Sequence, residues 1–132
     1  MHPSRHDAAL LAACLALAAL AAGCGRSALQ AAEAAMAAKD LPRAEAALDA
    51  LVKDKPGLKA AHMDRFVLYR FASMQGDPAS QTACRHQAED EYAWLVQAYQ
   101  LTENFGDMEA SLTARPDAAA DYASAHQALY AQ

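Results

Sequence analysis

The sequence predicts an all-α fold of about five to six helices, paired as antiparallel hairpins that either stack as an open array or close as a small helical bundle. Three observations carry this expectation. From Arg26 onward the β-branched residues are only Val52, Val67, Val96, Thr82, Thr102 and Thr113, so there is little from which to build a strand. Alanine, the strongest helix former, recurs throughout. Turn chemistry interrupts the chain at Asp40, Pro56-Gly57, Gln75-Gly76-Asp77-Pro78, Gly106-Asp107 and Arg115-Pro116-Asp117, which leaves helix-sized stretches between.

The first helix is expected over Ser27 to Lys39, with Leu29, Ala32 and Met36 as a thin apolar stripe. Asp40 then caps a second helix whose first turn accommodates Pro42, because the N–H groups there have no helical partner. Ala44, Leu48, Leu51 and Val52 form its buried face, and Lys53 and Lys55 suit the negative end of its dipole. Ala44, Leu48, Leu51 and Pro56 are spaced by four, three and five residues. This spacing resembles the second helix of a tetratricopeptide repeat (TPR), which places a small residue, a large apolar residue, a small residue and a proline there. Leu51 is bulkier than the family's alanine, and Ala28, Ala31 and Ala35 stand where the family prefers large residues. The resemblance implies a TPR-like helix pair and, by analogy, a surface that binds peptides or proteins.

A third helix, Leu58 to Met74, carries apolar residues on two faces, Met63-Val67-Phe71-Met74 and Phe66-Tyr69, as a helix between neighbours does. A fourth runs from Pro78 to Leu101 with the stripe Cys84-Ala88-Tyr92-Leu95-Tyr99, widened by Trp94-Ala98-Leu101. Ala88, Tyr92 and Leu95 repeat the four-three spacing of Ala44, Leu48 and Leu51 at a separation of 44 residues, longer than a TPR unit. A short fifth helix covers Met108 to Ala114. The last covers Pro116 to Ala131 and presents Ala119, Tyr122, His126 and Leu129, with His126 half-buried, as a cap on the array whose polar outer face is Asp117, Asp121 and Gln127.

The N-terminal end has a different character. Ala8 to Ala22 is fifteen residues without a charge, preceded by Arg5: too short for a membrane span and right for the core of a signal peptide. The following Ala22-Gly23-Cys24 resembles the lipobox of bacterial lipoproteins, although Ala21 stands where that motif usually has leucine and Leu20 lies one step further out. The resemblance implies cleavage between Gly23 and Cys24 and acylation of the Cys24 thiol. It also implies outer-membrane placement facing the periplasm, because Gly25 replaces the aspartate that favours inner-membrane retention. An ordinary secretory cut nearby and a retained alanine-rich helix are the other readings of this run. The expected organisation is a signal peptide over 1–23, a lipidated N-terminus and linker over 24–26, and a helical domain over 27–132, long enough for one core.

Charge is unevenly divided. Residues 24–85 hold nine basic and seven acidic side chains, net +2, whereas 86–132 hold Arg115 against eight acidic ones, net −7. That acidic end argues against nucleic acid and permits a basic partner.

Chemistry-bearing residues do not assemble into a reaction. Cys84 and His86 point about 200° apart on a helix, and Cys84 lies on the apolar stripe, so it is expected in the core. His62, His86 and His126, with Met63, Met74 and Met108, show no metal-ligand spacing, and Glu89-Asp90-Glu91 fan around a helix. No phosphate loop, nucleophile elbow or zinc-protease motif is present. No enzyme, metal or cofactor is expected. Tyr and Trp combine contact area with a polar tip, which makes Trp94 and Tyr130 the candidates for partner binding. The expected function is a membrane-anchored periplasmic adaptor that binds a protein or peptide of an envelope assembly. The alternative is a helical bundle holding a small ligand in an aromatic-lined cavity between the third, fourth and last helices.

Overall fold

Caps and prolines fix where the helices begin. In the computed structural model, which describes residues 26–130, Asp40, Asp77 and Asp107 accept from the backbone N–H groups of Arg43, Ser80 and Ala110 at 3.3, 2.9 and 3.0 Å. Each satisfies a donor that the first helical turn leaves unpaired. Six helices follow among the described residues: α1 over 26–37, α2 over Leu41–Asp54, α3 over Lys59–Ala72, α4 over Pro78–Tyr99, α5 over Met108–Thr113 and α6 over Pro116–Tyr130. The chain is therefore all-α, a small bundle with no strand among the described residues. The expected signal peptide over 1–23, its cut at Gly23 and the expected lipid site Cys24 lie outside them. No helix described is long and apolar enough to cross a membrane.

Two helices end through non-glycine residues in the left-handed region, Lys39 at φ 59° and Gln100 at φ 55°. In both, the next N–H reaches back to the helix, Asp40 to the Ala35 carbonyl at 3.0 Å and Leu101 to that of Val96 at 2.9 Å. These bonds occupy carbonyls that the last turn would otherwise leave open. Gly76, at φ 77°, makes the corresponding turn before α4 without steric cost.

Helix α3 is central and packs against α2, α4 and α6. Its Ala61, Met63, Phe66, Val67, Leu68 and Tyr69 are buried, which accounts for the two apolar faces in its sequence. Ala32, Ala44, Ala88, Ala118 and Ala125 are also buried, and their small size lets the neighbouring backbones approach closely while Phe66, Tyr92, Met36, Leu48 and Leu95 fill the volume. The Phe66 and Tyr92 rings meet tilted at 6.2 Å.

The connection between α4 and α5 is held by polar contacts with the helices around it. The Tyr92 hydroxyl accepts from Asn104 N–H at 2.7 Å, the Ser111 hydroxyl donates to the Thr102 carbonyl at 2.6 Å, and Arg115 donates to the Tyr99 carbonyl at 2.6 Å. Phe105 adds an edge contact on Tyr92 at 4.9 Å.

Three expectations need correction. Helix α3 stops at Ala72, so Met74 falls in the turn and is 64% exposed. Helix α6 buries Ala118, Ala125 and Leu129, because alanines can lie close on α3, and so turns His126 out to solvent. Asp121 consequently faces inward, where it accepts from the Tyr99 hydroxyl. Cys84 is only partly buried, at the fringe of the α4 stripe.

Phe66→Ala removes the largest fully buried side chain of the central helix and is expected to cost about 3–5 kcal/mol. The change in urea unfolding midpoint at constant slope measures it.

Candidate functional site

The outward face of α6 carries Tyr122, His126 and Tyr130 at intervals of four, which places the rings in a row. Tyr122 and His126 have ring centroids 5.9 Å apart, and His126 stacks on Tyr130 at 4.3 Å. From α3, Phe71 meets the Tyr130 ring edge-on at 5.7 Å. The Lys39 ammonium sits 5.9 Å from the Phe71 ring centroid and 5.7 Å from that of Tyr130, a cation over two aromatic faces. Tyr130 remains 41% exposed.

Clefts flank this row. One of about 160 Å³ lies between α3 and α6 and is lined by Val67, Arg70 and Met74 together with Glu109 and the three rings. A second, of about 520 Å³, continues over the outer side, where Thr113, Ala119, Ala123 and Gln127 join Glu109 and the rings. Burial, then the neighbouring Glu109, pushes the Tyr122 phenol up, so it is a neutral hydrogen-bonding group at physiological pH. A third cleft, of about 380 Å³, opens between α1 and α6 beside Glu33, Ala37, Ser124 and Ala128, and shares Gln127 with the second. Of the two residues singled out from sequence, Tyr130 lines the groove. Trp94 lies elsewhere, half-buried with its ring stacked on His62 at 3.5 Å.

His62 belongs to a polar cluster inside the bundle. Its Nδ1 lies 2.7 Å from Glu91 Oε2 and its Nε2 lies 2.6 Å from the Pro56 carbonyl. Arg65 reaches the other Glu91 oxygen at 3.0 Å and Asp49 on α2 at 3.4 Å. One carboxylate on α4 thus engages two side chains of α3, and through His62 the turn that ends α2. Helical spacing carried this signal: Glu91 lies three residues after Ala88 and four before Leu95, on the buried stripe of α4.

Asp64 is the second buried polar group, only 2% exposed, and no donor among the described residues reaches its Oδ2. Burial is the largest influence on its carboxyl; Glu33 of α1, within hydrogen-bonding reach, and Asp121 of α6 add to it, and together they push it up to about 9. It therefore holds its proton at neutral pH.

No protein-family model, curated protein or solved structure matches the chain. The site's chemistry must then be drawn from its own side chains. Cys84 is a poor nucleophile, since burial and then Glu45 raise its thiol, and His86 is exposed with Glu89 at 3.8 Å. Among the described residues no three His, Cys, Asp or Glu side chains are grouped so as to hold a metal ion. What the surface offers is a row of rings between clefts edged by Arg70, Glu109 and Glu33.

Two stability measurements test the buried groups. Glu91→Ala takes the shared carboxylate from His62 and Arg65, leaving Arg65 with Asp49 alone, and is expected to cost about 3–5 kcal/mol in urea unfolding. Asp64 has an ordinary value of 3.8 and is held near 9 when folded, so the folded state keeps a proton that the unfolded chain releases. Its contribution is complete below about pH 4 and is lost as pH rises towards 9, at up to about 1.4 kcal/mol per pH unit. Asp64→Asn is expected to remove that slope and to be more stable than wild type at pH 8 in parallel urea titrations.

Proposed function

We propose that this chain is a lipid-anchored adaptor of the bacterial cell envelope, tethered through acylated Cys24 with its helical domain facing the periplasm, and that it holds a segment of a partner protein against α6. The observation that carries this proposal is the row of half-buried Tyr122 and exposed His126 and Tyr130, with exposed Met74 beside it. Aromatic and methionine side chains concentrate where proteins meet, and an apolar groove edged by a few charges is what a peptide with apolar anchors requires. The rings are held against each other and against Phe71, so little side-chain freedom is lost when a partner arrives. The TPR-like spacing of Ala44, Leu48, Leu51 and Pro56 is in keeping with such a role. So is a net charge of −7 over 86–132, which attracts a basic partner.

The anchor follows from the Ala22-Gly23-Cys24 resemblance. One acyl chain holds a protein only marginally, whereas the diacylglycerol added at a lipobox cysteine supplies two. Placement in the outer membrane rests on Gly25.

A photo-reactive benzoylphenylalanine at position 122 or 130, in cells that carry the full chain, is expected to yield a discrete adduct with an envelope protein. The same probe at exposed Gln87 on α4 should yield none. Absence of any adduct from both groove positions would refute the adaptor function. Tyr130→Ala is expected to weaken the captured complex about tenfold, as loss of an aromatic anchor does. Metabolic labelling with palmitate is expected to mark the wild-type chain and not Cys24→Ser; label retained in that variant rules out the anchor.

A further inference from the structure

His62 lies inside the bundle with both ring nitrogens at hydrogen-bonding distance, Nδ1 2.7 Å from Glu91 Oε2 and Nε2 2.6 Å from the Pro56 carbonyl oxygen. Neither partner has a proton to give. The Pro56 carbonyl is only an acceptor, and Glu91 is committed as one through its other oxygen, which accepts from Arg65 at 3.0 Å. A neutral imidazole carries one N–H and would set the lone pair of its second nitrogen against an oxygen. With His62 only 6% exposed, bulk water does not relieve that repulsion. Two donors are therefore required, and the imidazolium supplies them. Trp94 lies nearly parallel to the ring, 3.5 Å away at 15°, an arrangement in which the indole face stabilises a cation.

We propose that His62 is a pH-sensitive latch: its imidazolium fastens the α2–α3 turn to α4, and loss of one ring proton releases the turn. The bond to Glu91 is charge-assisted and the stronger of the two, so the remaining proton stays on Nδ1 and the Pro56 carbonyl loses its donor. The charged groups around the ring come from three helices: Glu91 from α4, Arg65 from α3, and Asp49 from α2, which holds Arg65 from the other side at 3.4 Å. Glu91 attracts the charge on the ring, Arg65 repels it, and Asp49 offsets Arg65. The closed latch holds a proton that the open one has given up, so it is closed on the acid side and opens as pH rises. It stands apart from the aromatic row on α6 and does not rest on the adaptor function.

Trp94 is the one tryptophan of the chain, so its emission reports on the ring stacked against it. An imidazolium quenches indole emission more strongly than a neutral imidazole does. With the full chain in detergent, emission is expected to rise as the solution is taken from about pH 5 to about pH 9, a range that spans the titration of histidines, while helix content by circular dichroism stays constant. Two-bond proton–nitrogen correlation spectra of protein labelled at histidine, with His62 assigned by its loss in His62→Gln, are expected to show both ring nitrogens protonated at the acid end and Nδ1 alone at the alkaline end. Glu91→Gln donates an amide N–H to Nδ1 while its carbonyl still accepts from Arg65, so a neutral ring then satisfies both partners, and the rise in emission is expected to be lost. Asp64→Asn is expected to keep the rise, which separates the latch from the other buried acid of the bundle. A His62 ring with a single proton at about pH 5, or with two still at about pH 9, overturns the latch. So does a rise that persists unchanged in Glu91→Gln or disappears in Asp64→Asn.

Discussion

Glu91 is the contact on which the arrangement of the helices turns. It projects from α4 into the bundle, where one oxygen meets Arg65 and the other His62. His62 in turn holds the Pro56 carbonyl, and Trp94 covers its ring. Ionic groups this buried gain little net stability over apolar ones of the same size, but they accept only one geometry. Leucine and alanine faces can slide past one another with small loss. Glu91 between two fixed partners cannot, and it sets the register of α4 on α3 and the place of the α2–α3 turn.

Alanine has a structural consequence beyond helix formation. Ala118 and Ala125 occupy the buried face of α6, which packs on α3 and α5, and the larger residues of α6 apart from Leu129 lie to either side of that face. Asp121 goes inward to Tyr99, whereas His126 and Tyr130 go to the outside and Tyr122 lies half-buried at the rim. A leucine-rich helix would have buried its large residues and left a polar exterior. Here the economy of the core places rings on the surface.

Much of the architecture was legible in the sequence. Asp40, Asp77 and Asp107 cap because a short acceptor beside an unpaired N–H acts locally, and the stripes of α2 and α4 follow from helical period alone. Tyr130 was legible as a binding candidate only by residue type, a contact-rich ring with a polar tip, and the same reasoning also picked Trp94, which is half-buried elsewhere. The polar interior was harder to read. Asp64, His62 and Glu91 share faces with Val67, Phe66 and Leu95, but a charge on an apolar stripe is ordinarily taken as its edge, and its partner comes from a helix whose position no local rule supplies. Trp94 illustrates the same limit: its half-buried place depends on a histidine 32 positions earlier in the chain. The rotation of α6 was hidden for another reason, since alanine appears on every side of that helix and leaves the hydrophobic period ambiguous.

Most of the helix pairing joins neighbours in the chain, α2 with α3, α3 with α4 and α5 with α6. The α3–α6 contact is different, because it closes a loop containing all of α4 and α5. Contacts between distant segments carry the greater loop entropy and form late. The row of rings, the cleft beside Glu33 and the seat of Asp121 all require α6 in place, so the face offered to a partner comes into being only at the final docking step. A chain arrested short of that step presents no such face, and engagement by a partner then stabilises the completed fold by mass action.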